Sequence, residues 1–131
     1  LEKLSLTAIL GINGFSAVVG PALSQAVQYT NLQTALNALP AGSSVLLLPG
    51  TYVGNIVVTK EVMIIGRGHA ANLSGSFTIS TNYCSFFGFR LTGALLFSVG
   101  STGNFLNYCW QATGQSITDS GTNNEWIVVQ E

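Results

Sequence analysis

Gly54-Asn55-Ile56-Val57-Val58 returns in kind as Gly75-Ser76-Phe77-Thr78-Ile79 and as Gly93-Ala94-Leu95-Leu96-Phe97. Each copy is a glycine followed by apolar residues at the second and fourth positions after it. The frame reaches Gly114, at intervals of 21, 18 and 21 residues, where it decays to a single Ile117. A second series of β-type runs trails the first: Met63–Ile65, Phe86–Phe89, Phe105–Tyr108 and Trp126–Val128. A period near 20 residues with two short strands per unit is the mark of a solenoid. Such strands are too short for an open sheet, but each can pair with its equivalent one turn away, about 4.8 Å above or below. Ile56, Phe77 and Leu95 are then expected in one inward column, with Asn, Gly, Ser and Thr at the corners. An antiparallel sandwich also shows regular short strands; the matching glycine frame favours the coil.

Outward from the repeat, strands are expected at Val45–Leu48, Asn55–Val58, Val62–Ile65, Phe77–Ser80, Phe86–Leu91, Leu95–Phe97, Phe105–Cys109 and Trp126–Val129. One segment reads as a helix, Asn31–Leu39. Asn31 serves as N-cap, Leu32, Ala35, Leu36 and Leu39 form one apolar stripe, and Pro40 and Gly42 end it. Placed just before the first coil, it is the expected lid on an end that solenoids usually cap. The chain divides into an N-terminal coupling or neck segment, 1–30, and the capping helix plus coils, 31–131.

Charge narrows the function classes. Of 131 residues only 7% are charged, and between Leu4 and Thr59 there are none; ordinary domains carry about 25%. Lys3, Lys60, Arg67 and Arg90 are too few to neutralise a run of phosphates, so no nucleic-acid partner is expected. The polar supply is instead 13 Ser, 12 Thr, 10 Asn and 6 Gln. A surface so poor in charge either relies on neutral side chains or is covered by another copy. Leu4–Val19 is the most apolar stretch, but its Ser, Thr, Asn and Gly residues leave it short of a membrane span. It imitates a signal peptide behind Lys3, though it is read as part of the working chain.

Leu32-Gln33-Thr34-Ala35-Leu36-Asn37-Ala38-Leu39-Pro40-Ala41-Gly42 runs through Val45–Leu48 to Pro49-Gly50-Thr51-Tyr52. Val57-Val58-Thr59-Lys60-Glu61-Val62-Met63-Ile64-Ile65-Gly66-Arg67-Gly68 follows. This resembles the opening of right-handed parallel β-helix proteins of the pectate-lyase-like superfamily, well over residues 31–93 and loosely beyond. Chains with few charges and Gly/Asn/Ser/Thr-rich coils look most like bacteriophage tailspikes and tail fibres, in which three β-helices associate side by side. The resemblance implies an all-β, short right-handed β-helix forming a homotrimer, with a virion location after assembly in the host cytoplasm.

Catalysis is not expected. Glycosidases need two carboxylates roughly 5–9.5 Å apart, and calcium-dependent lyases need several acidic oxygens. Of five carboxylates only Asp119 and Glu125 are weak catalytic candidates, and both read as corner residues. Gly66-Arg67-Gly68-His69-Ala70-Ala71 fits a dinucleotide-binding pattern, but no helix or acid follows at the required place. It is a turn, with His69 exposed in it, and no cofactor is expected. Cys84, Cys109 and the lone His69 cannot assemble a zinc site. The two cysteines read as free thiols packed as small hydrophobes rather than as a disulfide.

Aromatic residues are the remaining signal, because they cannot all point into a narrow coil. Alternation puts Phe87 and Phe89 on one face and Phe86 on the other. Phe87, Phe89, Tyr108, Trp110 and Trp126 are therefore the candidates for an oligomer interface or, less favoured, glycan contact. The expected function is a non-enzymatic structural protein of a phage virion, a tail-fibre or tailspike module in host attachment. Its expected partners are its own copies, other virion proteins through the N-terminal segment, and host surface polysaccharide. A capsid decoration (cement) protein and a polysaccharide-degrading tailspike subunit are the alternatives.

Overall fold

The computed structural model describes residues 14–131. Part of the neck expected over 1–30, and of the apolar run Leu4–Val19, lies outside the described residues. The described residues are all-β apart from one short helix and wind into a parallel β-solenoid of about 4 turns.

Each turn visits three faces. The first face holds β1 (Ala17–Val19), β2 (Ser43–Leu47), β5 (Val62–Gly66) and β8 (Ser85–Phe87), paired in that order. The second holds β3 (Gly50–Val53), β6 (Ala71–Ser74) and β9 (Arg90–Leu91). The third holds β4 (Ile56–Val58), β7 (Phe77–Ile79), β10 (Leu95–Phe97) and β12 (Ile117–Asp119). β11 (Phe105–Gln111) serves two faces, pairing with β8 through Phe105–Asn107 and with β9 through Trp110–Gln111. β13 (Glu125–Gln130) follows β11 around the same corner, and the register shifts between Asn107 and Cys109, where Tyr108 sits at φ 59°.

All strand pairs are parallel, which excludes the sandwich. The two-strand unit expected from the sequence is corrected to three, because β3 and β6 were not legible as strands and β9 was read as one run with β8; β1 and β12 were also missed. Ala71–Ser74, read as the end of a turn, is β6. The run Phe86–Leu91 is also split: Gly88, at φ 68°, turns the chain between β8 and β9. That φ is open to glycine at little cost.

The column Ile56–Phe77–Leu95 is present and continues to Ile117. A second inward column runs Val45, Ile64, Phe86, Leu106, Trp126. A third begins apolar, with Tyr52, Leu73 and Leu91, and ends in Gln111 and Gln130. The fully buried Gln111 is satisfied: its Nε2 donates to the carbonyls of Gly93 and Ser116, and its Oε1 accepts from Gln130 Nε2 at 2.7 Å. The Gly93–Gly114 interval is not the structural one, since Leu95 pairs with Ile117, which sets Gln115 rather than Gly114 beside Gly93.

The corners carry their own period. Tyr83, Gly103 and Asn123 occupy equivalent places before β8, β11 and β13, all left-handed, with φ of 61°, 69° and 53°. Asn104 follows in the same corner, buried, and bonds to the turns on either side. Its Oδ1 accepts from Cys84 N, and its Nδ2 donates to Thr81 O and Asn124 Oδ1, both at 2.9 Å. A neutral amide donates and accepts at once, so it can link three turns without burying charge.

The helix, α1 (Leu32–Ala38), is one residue shorter at its C-terminal end than the stripe suggested. Asn31 Oδ1 accepts from Thr34 N, as its N-cap role requires. Leu32, Ala35 and Leu36 are buried in the main core. Gln33 pairs with both backbone groups of Val57 on β4, and Lys60 Nζ donates to the carbonyls of Asn37 and Leu39 at the helix C-terminus. The boundary expected at residue 30 falls after β1, which already pairs with β2.

Candidate functional site

Outside the first face, alternation leaves two columns: Ser44, Met63, Ser85, Phe105, Glu125, and Val18, Leu46, Ile65, Phe87, Asn107, Ile127. Glu125 is the one charged residue among them. At the β1 end the surface is covered by the chain itself, where Phe15, Val27 and Leu48 pack with Val18, Leu46 and Ile65. Beyond it Met63, Phe87 and Phe105 are half-buried and Ile127 is exposed. Two tyrosines in left-handed conformations stand at the corners bounding this face, Tyr83 on one side and Tyr108 on the other, 65% and 63% exposed. At the far end Phe105, Asn124, Glu125, Trp126 and Ile127 line a groove of about 440 Å³.

The five aromatic candidates do not share one surface. Phe87 points outward on the first face. Phe89 does not: it is fully buried and packs edge-on against Phe77 and Phe86, with centroids 5.8 and 6.4 Å apart. The expectation that Phe87 and Phe89 share a face is corrected, because the turn at Gly88 resets the alternation. Tyr108 is at a corner, and Trp110 is half-buried outside the second face. Trp126 continues an inward column and lies over the end of the coil.

Asp119 and Glu125 have different surroundings. Asp119 Oδ1 accepts from Gly121 N at 2.9 Å and Asn124 Nδ2 at 3.0 Å, which fixes a corner. Glu125 faces outward beside Phe105.

The structure assembles a cluster that the sequence reading missed. Outside the second face, Asn72, Arg90 and Trp110 fall in one column. Glu131 reaches over them, with Arg90 Nε 2.8 Å from Oε2 and 3.2 Å from Oε1, and His69 Nε2 2.7 Å from Oε1. Arg90 also donates to Asn72 Oδ1, and the His69 ring meets Trp110 edge-on at 5.6 Å. Hydrogen bonding from His69, then from Arg90, holds the Glu131 carboxyl below its usual range. A single carboxylate already engaged by two partners acts as a clasp rather than as an acid/base pair. Only the register, which brings residues 62 positions apart together, reveals it.

Cys84 and Cys109 are free and buried. Burial pushes both thiols up, Cys109 to about 11, so neither is a reactive thiolate at neutral pH. Among the described residues no three His, Cys, Asp or Glu side chains gather as metal ligands, and no helix is long and apolar enough to cross a membrane. No protein-family model, curated protein or solved structure matches the chain.

Proposed function

We propose that this chain is a non-enzymatic structural module of a bacteriophage virion, part of a tail fibre or tailspike involved in host attachment. The observation that carries the reading is the outer surface of the first face, where Met63, Phe87, Phe105 and Ile127 stand among Ser85 and Asn107 with one charged residue, Glu125, on a regular parallel solenoid. A surface of this kind marks a contact rather than a solvated flank. In this reading the coil is right-handed, as parallel crossovers almost always are. α1 closes its first turn, three copies associate side by side, and the N-terminal segment joins other virion proteins. The groove of Phe105, Glu125 and Trp126 offers aromatic faces beside a carboxylate, which suits contact with a host polysaccharide.

The test is the mass of the purified chain at micromolar concentration by light scattering. Three chains per particle is the expected result, and a stable monomer overturns the assembly reading. Labelling the protein in particles for electron microscopy separates tail from head; a head location would favour the capsid decoration role instead.

A further inference from the structure

β5 crosses the first face between two opposite charges. Glu61 precedes its first residue, Val62, and Arg67 follows its last, Gly66. Both are exposed. Among the described residues neither enters an ion pair, since those present join Glu131 to His69 and Arg90. Lys60, beside Glu61, is turned onto the carbonyls of Asn37 and Leu39. Six steps of extended chain separate Glu61 from Arg67 by about 20 Å, too far to pair within one copy. Between and below them lie Met63, Phe87 and Phe105. The same surface is already covered near β1 by the chain's own Phe15 and Val27.

We propose that this face is the subunit interface, that its occupant is another copy of this chain, and that Arg67 of each copy pairs with Glu61 of the next. The proposal rests on the self-association inferred above and names its surface. In a cyclic assembly about an axis parallel to the coil, equivalent residues share one height. Each seam brings one corner of the face against the neighbour's opposite corner. Opposite charges at the two ends of one strand meet that geometry at every seam, with Met63, Phe87 and Phe105 closed between them. Tyr83 and Tyr108, strained and exposed at the same two corners, are then buried at the seams, where backbone strain is most readily held.

The experiment is charge reversal read by light scattering, with thermal unfolding as the folding check. Glu61→Arg and Arg67→Glu each place like charges across every seam, and each should weaken assembly about tenfold. The double variant should return to within about threefold of the parent. Phe87→Ser, in the centre of the face, should weaken assembly whatever the charges do. A parent chain that is monomeric overturns both this proposal and the self-association beneath it. A parent chain that assembles, while both reversals and Phe87→Ser leave its mass unchanged, overturns only the choice of face.

Discussion

Trp126 lies stacked on Phe97, ring centroids 5.4 Å apart and planes inclined by 25°. The two belong to different faces and different turns, so the indole reaches across the turn and covers core that no other strand among the described residues covers. It remains 38% exposed. Three inward columns end near it in polar groups: Asp119 after Phe97, Asn124 after Asn104, and Gln130 after Gln111. Trp126→Ala should therefore destabilise the fold by about 2 kcal/mol, less than for a fully buried tryptophan. The midpoint of urea unfolding reads this directly, and a change below about 0.5 kcal/mol would mean that the ring covers nothing.

Gly93 packs directly on Gly75. A Cβ at Gly93 would drive into the Gly75 carbonyl, although the Gly93 backbone itself is not left-handed. Gly93→Ala should cost about 3 kcal/mol, because the turns must separate against many parallel hydrogen bonds. Gly114→Ala, at φ 79° but with open space around it, should cost only about 1 kcal/mol of backbone strain. Equal losses at the two sites would contradict the stacking.

Asn104 is 1% exposed and links its own turn to the one on either side. Removing its amide orphans the Cys84 N–H and the Thr81 carbonyl and leaves Asn124 short of a donor. Asn104→Ala should lose about 3 kcal/mol, and Asn104→Asp more at neutral pH, where it would bury a charge. Hydrogen exchange at Cys84 N should accelerate in Asn104→Ala, which alone removes its acceptor. Unchanged protection there would show that the corner is held by something else.

Glu131 sets the acid response of the last strand. A carboxyl whose folded pKa lies below its unfolded value contributes stability present above the unfolded value and lost as pH falls through the folded one. With Glu131 lowered by His69 and Arg90, the clasp is complete above the ordinary carboxylate range and opens below it. Protection of the Glu131 amide, bonded to Gln111 O at 3.0 Å, should fall on acidification once exchange is measured against the intrinsic rate at each pH. Glu131→Gln should flatten that dependence, and a flat profile in the parent chain would refute the clasp.

Much of the coil was legible because its determinants are local. Turn length is written in the spacing of Gly54, Gly75 and Gly93, and the Ile56–Phe77–Leu95 column follows from that spacing. The helix was legible because Asn31 and the Leu32–Leu36 stripe specify it within two turns. The third strand of each unit was not. β3 and β6 carry Gly, Thr, Asn or Ser at outward or terminal places, so they read as turns although their backbones pair along the coil, and β9 was merged into the Phe86–Leu91 run.

Sequence alone determined that neutral corners and short apolar strands repeat every 18–21 residues, and that charged side chains are scarce. Only the tertiary structure decided which aromatics face out, and which charges meet. Left-handed residues at Gly88 and Tyr108 restart the in–out alternation at each corner, so Phe89 turns inward and Trp110 outward. The Glu131–Arg90–His69 clasp depends on the register of several turns laid side by side, and a register is fixed by packing in three dimensions.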